Sequence, residues 1–167
     1  MNKITNSQKK LLLAVHLLFA SIMLGSMVIF LVMNITAAGT RNPELFQACY
    51  AVMLVLARSS VRASTIGTVV TGVLLSVLTH WGLLRYYWII AKELLTVAAI
   101  GIGMVGIYVW TLKAADLSGR LGMDALHDPA FLANRVYLFA GVVFQIVSLA
   151  GMFLLSVYKP WGKRARR

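Results

Sequence analysis

Residues 11–35 read LLLAVHLLFASIMLGSMVIFLVMNI, a run without Asp, Glu, Lys or Arg. A transmembrane helix needs about 20 mostly apolar residues, whereas the core of a secretory signal needs only about 7–15. Lys3, Lys9 and Lys10 precede the run and Ala37-Ala38 follow it, as in a signal peptide. Its length nevertheless predicts a retained membrane anchor. The rest of the chain is similar: 167 residues, 60% hydrophobic and 13% charged, with a mean hydropathy of +0.82. Soluble domains are about 45–50% apolar and about 25% charged, and a fold of this size cannot hide so much apolar surface. The composition excludes a cytosolic enzyme and a disordered chain. Cys49 is the single cysteine, so no internal disulfide is possible; it reads as an ordinary apolar helix residue.

Three further runs are long enough to span, at about 64–84, 86–112 and 131–158. The expected fold is therefore all-α: one polytopic domain over 1–167, built as a four-transmembrane-helix bundle. Between the first two spans lies 43–62. Asn42 is a candidate N-cap and Pro43 suits the first helical turn. The apolar stretch 45–57 is too short to cross, at about 20 Å by 1.5 Å per residue. It is expected to be an interfacial helix, or an outward extension of the second helix that bends near Arg58–Arg62. A fifth span is the less favoured reading.

The net charge is +11. Much of the excess flanks apolar runs, the pattern of cytoplasmic ends beside anionic lipid rather than of a nucleic-acid-binding face. With both termini cytoplasmic, the inner side carries Lys3, Lys9, Lys10, Arg85 and the five basic residues from Lys159 onward. The outer side carries Arg41, Arg58, Arg62, Lys113, Arg120 and Arg135. The excess of inner charges predicts a multi-pass inner-membrane protein, N-in and C-in. Small residues at Ser64, Thr68 and Gly72, and at Ala99, Gly103 and Gly106, mark helix contacts and permit a homodimer or another membrane-protein partner. The letters of residues 101–106, GIGMVG, match a dinucleotide-binding fingerprint. They lie inside an apolar helix without a preceding strand, so that reading is rejected. Asn34-Ile-Thr36 matches a glycosylation sequon equally superficially.

Ionisable residues within a span are expensive and are functional suspects by default. His16, His80, Lys92 and Glu93 all fall within roughly 6–11 Å of one membrane face, at 1.5 Å per residue. Arg85 and Trp88 flank that layer on the water side. Two imidazoles on neighbouring helices are suited to ligate a haem iron, and Arg85 or Lys92 to pair with a propionate. Lys92 and Glu93 are suited to carry protons to such a site. Each residue also has an ordinary reading. A histidine can bond a carbonyl or sit in an aromatic belt, Lys92 can snorkel, and Glu93 can pair with Arg85 or His80. Copper is an alternative cofactor, because His16, Met23 and Met27 lie near one face of the first helix. Gln145 and Ser148 are expected to hydrogen-bond between helices. His127 is expected in a solvated loop.

The segment HLLFASIMLGS from His16, the block Gly72–Lys92 with Thr79-His80-Trp81-Gly82, and the start of the third span at Trp88-Ile-Ile-Ala-Lys92 resemble a group of small bacterial four-helix membrane proteins. The group comprises an uncharacterised family and, more distantly, the copper-resistance D proteins and the haem-containing membrane protoporphyrinogen oxidases. The likeness extends loosely over 11–160. It implies that His16 is a haem ligand and that Trp88 and Lys92 form a Trp-x-x-x-Lys motif with a functional lysine. The combined expectation is a bacterial membrane protein that binds b-type haem for a redox or haem-handling role, with His16 and His80 as axial ligands. The rival expectation is a cofactor-free transport, copper-handling or accessory subunit.

Overall fold

A computed structural model describes residues 4–79, 82 and 85–162. Four long helices follow one another, each apolar enough to cross a membrane: α1 Asn6–Gly39, α2 Pro43–Leu78, α3 Tyr87–His127 and α4 Pro129–Tyr158. Polar side chains start three of them. The Thr5 hydroxyl accepts from Gln8 N, and the Gln8 side chain accepts from Thr5 N, closing a capping box. Asn42 Oδ1 accepts from Glu44 N and Leu45 N, with Pro43 in the first turn. Asp128 Oδ1 accepts from Phe131 N, ahead of Pro129. Gly122, at φ +57°, ends the α-helical part of α3, which closes in a 3-10 turn over Gly122–His127.

Two helices change winding part-way. Ala57–Val61 in α2 and Gly101–Ile107 in α3 are π-helical. The fingerprint-like letters of 101–106 thus form a wide turn inside a helix. Such turns are uncommon and recur at functional sites.

Antiparallel partners fix the depth of each residue. Along α1 and α2, Asn34 Nδ2 donates to Met53 Sδ, Thr65 Oγ1 lies against Met23 Sδ, and His16 meets Thr71. Along α3 and α4, Lys92 bonds Ser156, Thr96 bonds Met152, and Gly103 lies against Gln145. This register extends the expected second span of 64–84 and bears out the reading of 43–62 as an extension of the second helix that bends near Arg58–Arg62. The helix runs from Pro43 to Leu78, with the π turn in place of a boundary. The reason is the short link at 40–42. It starts α2 beside the C-terminal end of α1 (the end termed outer, after the orientation expected from the charges), so 43–56 packs against α1 instead of lying in the interface. Arg58 and Arg62, expected at the outer surface, lie about half-way along the bundle.

The tightest packing is at the outer end. Ala37, Phe46, Tyr50, Ala114, Ala125 and Phe131 are all 0% exposed. A helix of 34 residues is about 51 Å long, against about 30 Å of hydrocarbon, so α1 extends beyond the lipid core. Farther in, apolar residues such as Leu18, Val32, Val70, Val97 and Val147 are exposed, as lipid-facing positions should be. The four apolar helices identify a multi-pass membrane protein.

Candidate functional site

The third of the bundle on the side of the chain's termini holds polar groups from all four helices: His16, Thr71, Lys92, Glu93 and Ser156. His16 projects from α1 toward α2, where Gly72 makes room for it. A Cβ on Gly72 would stand 3.3 Å from His16 Cε1. The ring's Nδ1 lies 2.9 Å from Thr71 Oγ1. The Thr71 hydroxyl has one hydrogen, and its closest acceptor is the Gly67 carbonyl at 2.6 Å. Toward His16 the hydroxyl is therefore the acceptor and Nδ1 carries the proton. In a neutral imidazole that leaves the Nε2 lone pair for another partner.

Lys92 on α3 donates from Nζ to Ser156 Oγ on α4 at 2.8 Å, and Ser156 passes its own hydrogen to the Met152 carbonyl at 2.7 Å. The ammonium also lies 5.8 Å from the ring centroid of Trp88, within cation–π range. Lys92 is close enough to His16 for the two groups to interact electrostatically. Trp88 is buried, and Tyr86 packs beside it at 6.2 Å. Glu93 Oε1 is buried and takes no hydrogen bond from the described residues. Arg85 is exposed just ahead of α3. His80 lies outside the described residues.

His16 and Lys92, from separate helices, thus share one region, with Trp88 at its edge. Thr71 and Ser156, which orient the two ionisable groups, escape a reading of the sequence. Hydroxyls are frequent in apolar helices, and only the register shows which ones face a charge. The residues of the copper reading are placed differently. Met23 and Met27 are buried in the core, where Met23 Sδ lies 3.4 Å from Thr65 Oγ1, a hydroxyl that donates to the Val61 carbonyl at 2.7 Å. Among the described residues no group of three or more His, Cys, Asp or Glu side chains could hold a metal ion.

Two smaller expectations change. Gln145 makes no hydrogen bond with the described residues. Its amide lies over Gly103, where a Cβ would stand 3.4 Å from Nε2, and its Oε1 has no partner. The hydrogen bond between helices comes instead from Asn134, whose Nδ2 donates to the Trp110 carbonyl at 2.8 Å. Asn34 of the sequon is buried and donates to the Phe30 carbonyl. Comparison with known proteins yields no match to a family model, a curated protein or a solved structure.

Proposed function

We propose that the inner end of the bundle binds a b-type haem for a redox or haem-handling role, with His16 as an axial ligand through Nε2. The observation that carries this reading is the hydrogen bond between His16 Nδ1 and Thr71. Iron-ligating histidines commonly donate their second ring N–H to a fixed acceptor, which sets the tautomer and the plane of the ring. Lys92 would pair with a propionate, steadied by Ser156 and Trp88. Arg85 is placed at the water boundary for the same task. The second axial position is assigned to His80 on sequence grounds. Bound haem would supply one-electron chemistry. Glu93 and Lys92 would hold and move protons between this layer and the inner aqueous phase. The likeness to the haem-containing membrane oxidases supports the same ligand.

The proposed setting is a bacterial inner membrane, with both termini inside. The depth of Arg58 and Arg62 supports that orientation. They no longer count among the outer basic residues, which leaves Arg41, Lys113, Arg120 and Arg135 there. Copper at His16, Met23 and Met27 is the weaker cofactor reading, because both methionines are packed into the apolar core.

The test is the visible spectrum of the detergent-purified protein, before and after added haemin. A Soret band is expected, and His16→Ala should abolish it. Thr71→Val keeps the shape at 71 but removes the hydroxyl acceptor beside Nδ1, leaving only the Thr68 backbone to hold the ring. It is expected to weaken haem binding by about 10–100-fold, the usual effect of deleting a partner of a metal-bound histidine. A wild-type protein that stays colourless with excess haemin would overturn the proposal and favour a cofactor-free accessory subunit.

A further inference from the structure

The least expected charges are Arg58 and Arg62. Their depth follows from the neighbouring helices. The uncharged runs of α1, α3 and α4 are centred near Gly25, Gly103 and Val147. Arg62 lines a cleft of about 160 Å³ together with Thr65, Gly103, Met104 and Tyr108. Thr65 lies against Met23, and Gly103 touches Gln145. Arg62 therefore sits at the middle of the hydrophobic layer, with Arg58 one turn outward. Both are exposed on the bundle surface. Neither makes a hydrogen bond or ion pair with the described residues. Arg58 can reach toward the outer headgroups, but half a hydrocarbon core is about 15 Å, too far for Arg62 to reach water by snorkelling.

A charge at this depth needs a counter-charge. The chain's five acids are Glu44, Glu93, Asp116, Asp124 and Asp128. The helix register places Glu93 near the inner end and the other four in the outer part. A second copy in the same orientation would bring two more arginines to the middle and no carboxylate, so it cannot supply the missing charge. The surroundings describe what can. The cleft lies between the two π turns, with Ala57 and Val61 on one wall and Gly103 to Ile107 on the other. Irregular backbone at membrane depth is tolerated where it lines a polar or protein-filled space. Tyr108 also lines it, and its hydroxyl makes no hydrogen bond with the described residues. Arg58, Arg62, Ile66 and Val70 recur every four residues along one exposed face of α2, so two cations are followed by an apolar strip. Met104 and Val105 are exposed on the α3 side.

We propose that Arg62, supported by Arg58 and Tyr108, binds the oxyanion head of an amphiphile, a carboxylate or a phosphate, whose hydrocarbon chain lies along Ile66 and Val70. The pairing of two cations with an adjoining apolar strip favours an amphiphile over a rigid helix of another protein. Guanidinium groups are suited to planar, bidentate binding of such oxyanions. This site lies mid-membrane and does not depend on the haem reading.

The test is equilibrium binding of radiolabelled oleate to the full chain in a non-ionic detergent, with inorganic phosphate as competitor. Wild type is expected to bind oleate saturably, and R62K to retain part of the affinity. R62Q should weaken binding about ten-fold or more, in line with loss of a hydrogen bond to a charged group. If phosphate displaces oleate, the head pocket also takes a free oxyanion; if it does not, the hydrocarbon chain is required. Either result supports the site. Should R62Q fail to fold, I66E gives the same readout, because a carboxylate on the strip should repel the ligand. Oleate binding that is absent in wild type, or unchanged in R62Q and I66E, would overturn the proposal. So would co-purification of a second membrane protein that R62Q releases.

Discussion

Phe131→Ala is expected to lower the thermal midpoint of the detergent-solubilised protein by about 10 °C, the largest change foreseen for a single substitution. Phe131 is 0% exposed and completes a three-ring cluster with Phe46 and Tyr50 of α2. The centroid distances are 5.8 Å to Phe46 and 5.5 Å to Tyr50, with Phe46 and Tyr50 themselves 5.3 Å apart. Two of the pairs meet edge to face, the favourable arrangement of ring quadrupoles. Truncating a buried Phe to Ala costs about 3–5 kcal/mol, from lost transfer energy and the cavity left behind. The full amount should be felt here, because all three rings are enclosed by protein and tie the start of α4 to α2. Phe131→Leu should recover most of the loss. A midpoint for Phe131→Ala within about 2 °C of wild type would show that the outer end contributes little to stability.

The second large effect concerns the contact between α3 and α4. Gly141→Leu should destabilise the protein by about 3 kcal/mol, near the top of the usual overpacking range. Trp110 fills the space over this glycine. A Cβ at 141 would stand only 2.7 Å from its Cζ3 and 3.2 Å from Ile107 Cγ1. The ring has little room to retreat, because a Cβ on Gly106 would already be 2.8 Å from Cη2, and Tyr137 stacks on it at 5.9 Å. Gly25→Ala is the matching control. Nothing lies within 4 Å of that added carbon. It should leave stability unchanged or raise it by about 0.5–1 kcal/mol, since Gly is a poor helix residue. Chemical denaturation with circular dichroism distinguishes the two. Equal behaviour at 25 and 141 would remove Trp110 as the wedge between α3 and α4.

The four helices were legible because uncharged runs of spanning length have few other uses. Asn42 and Pro43 announced the start of α2 by their own chemistry. Gly72 and Gly103 marked close approaches of a neighbouring helix, at His16 and Gln145, whereas Gly106 is covered by Trp110 of its own helix. What the letters concealed was depth. Arg58 and Arg62 read as the edge of a span, because charge normally means water. Their position is decided by α1 and by a link of three residues, 40–42, which no local pattern reveals. Similarly, His16 and Lys92 were visible as candidates, whereas Thr71 and Ser156 were not. Their importance comes from helix register and not from residue type. The ring cluster at Phe46, Tyr50 and Phe131 joins positions far apart in the chain, and aromatic residues carry no sign of their partners.

The π turn at Ala57–Val61 has a further consequence, best expressed in terms of the reading frame of a helix. A wide turn holds one residue more than regular winding requires, so everything beyond it is turned by about 100° relative to an uninterrupted helix. Thr65 under Met23, Gly67 under Phe19 and Thr71 under His16 all lie beyond that turn. Deleting one residue, such as Ser60, would restore ordinary winding and leave every apolar residue of the helix in place. It would also swing the inner half of α2 away from α1 and remove the hydroxyl from His16. The pairing of the inner layer therefore depends on a single inserted position about half a membrane away.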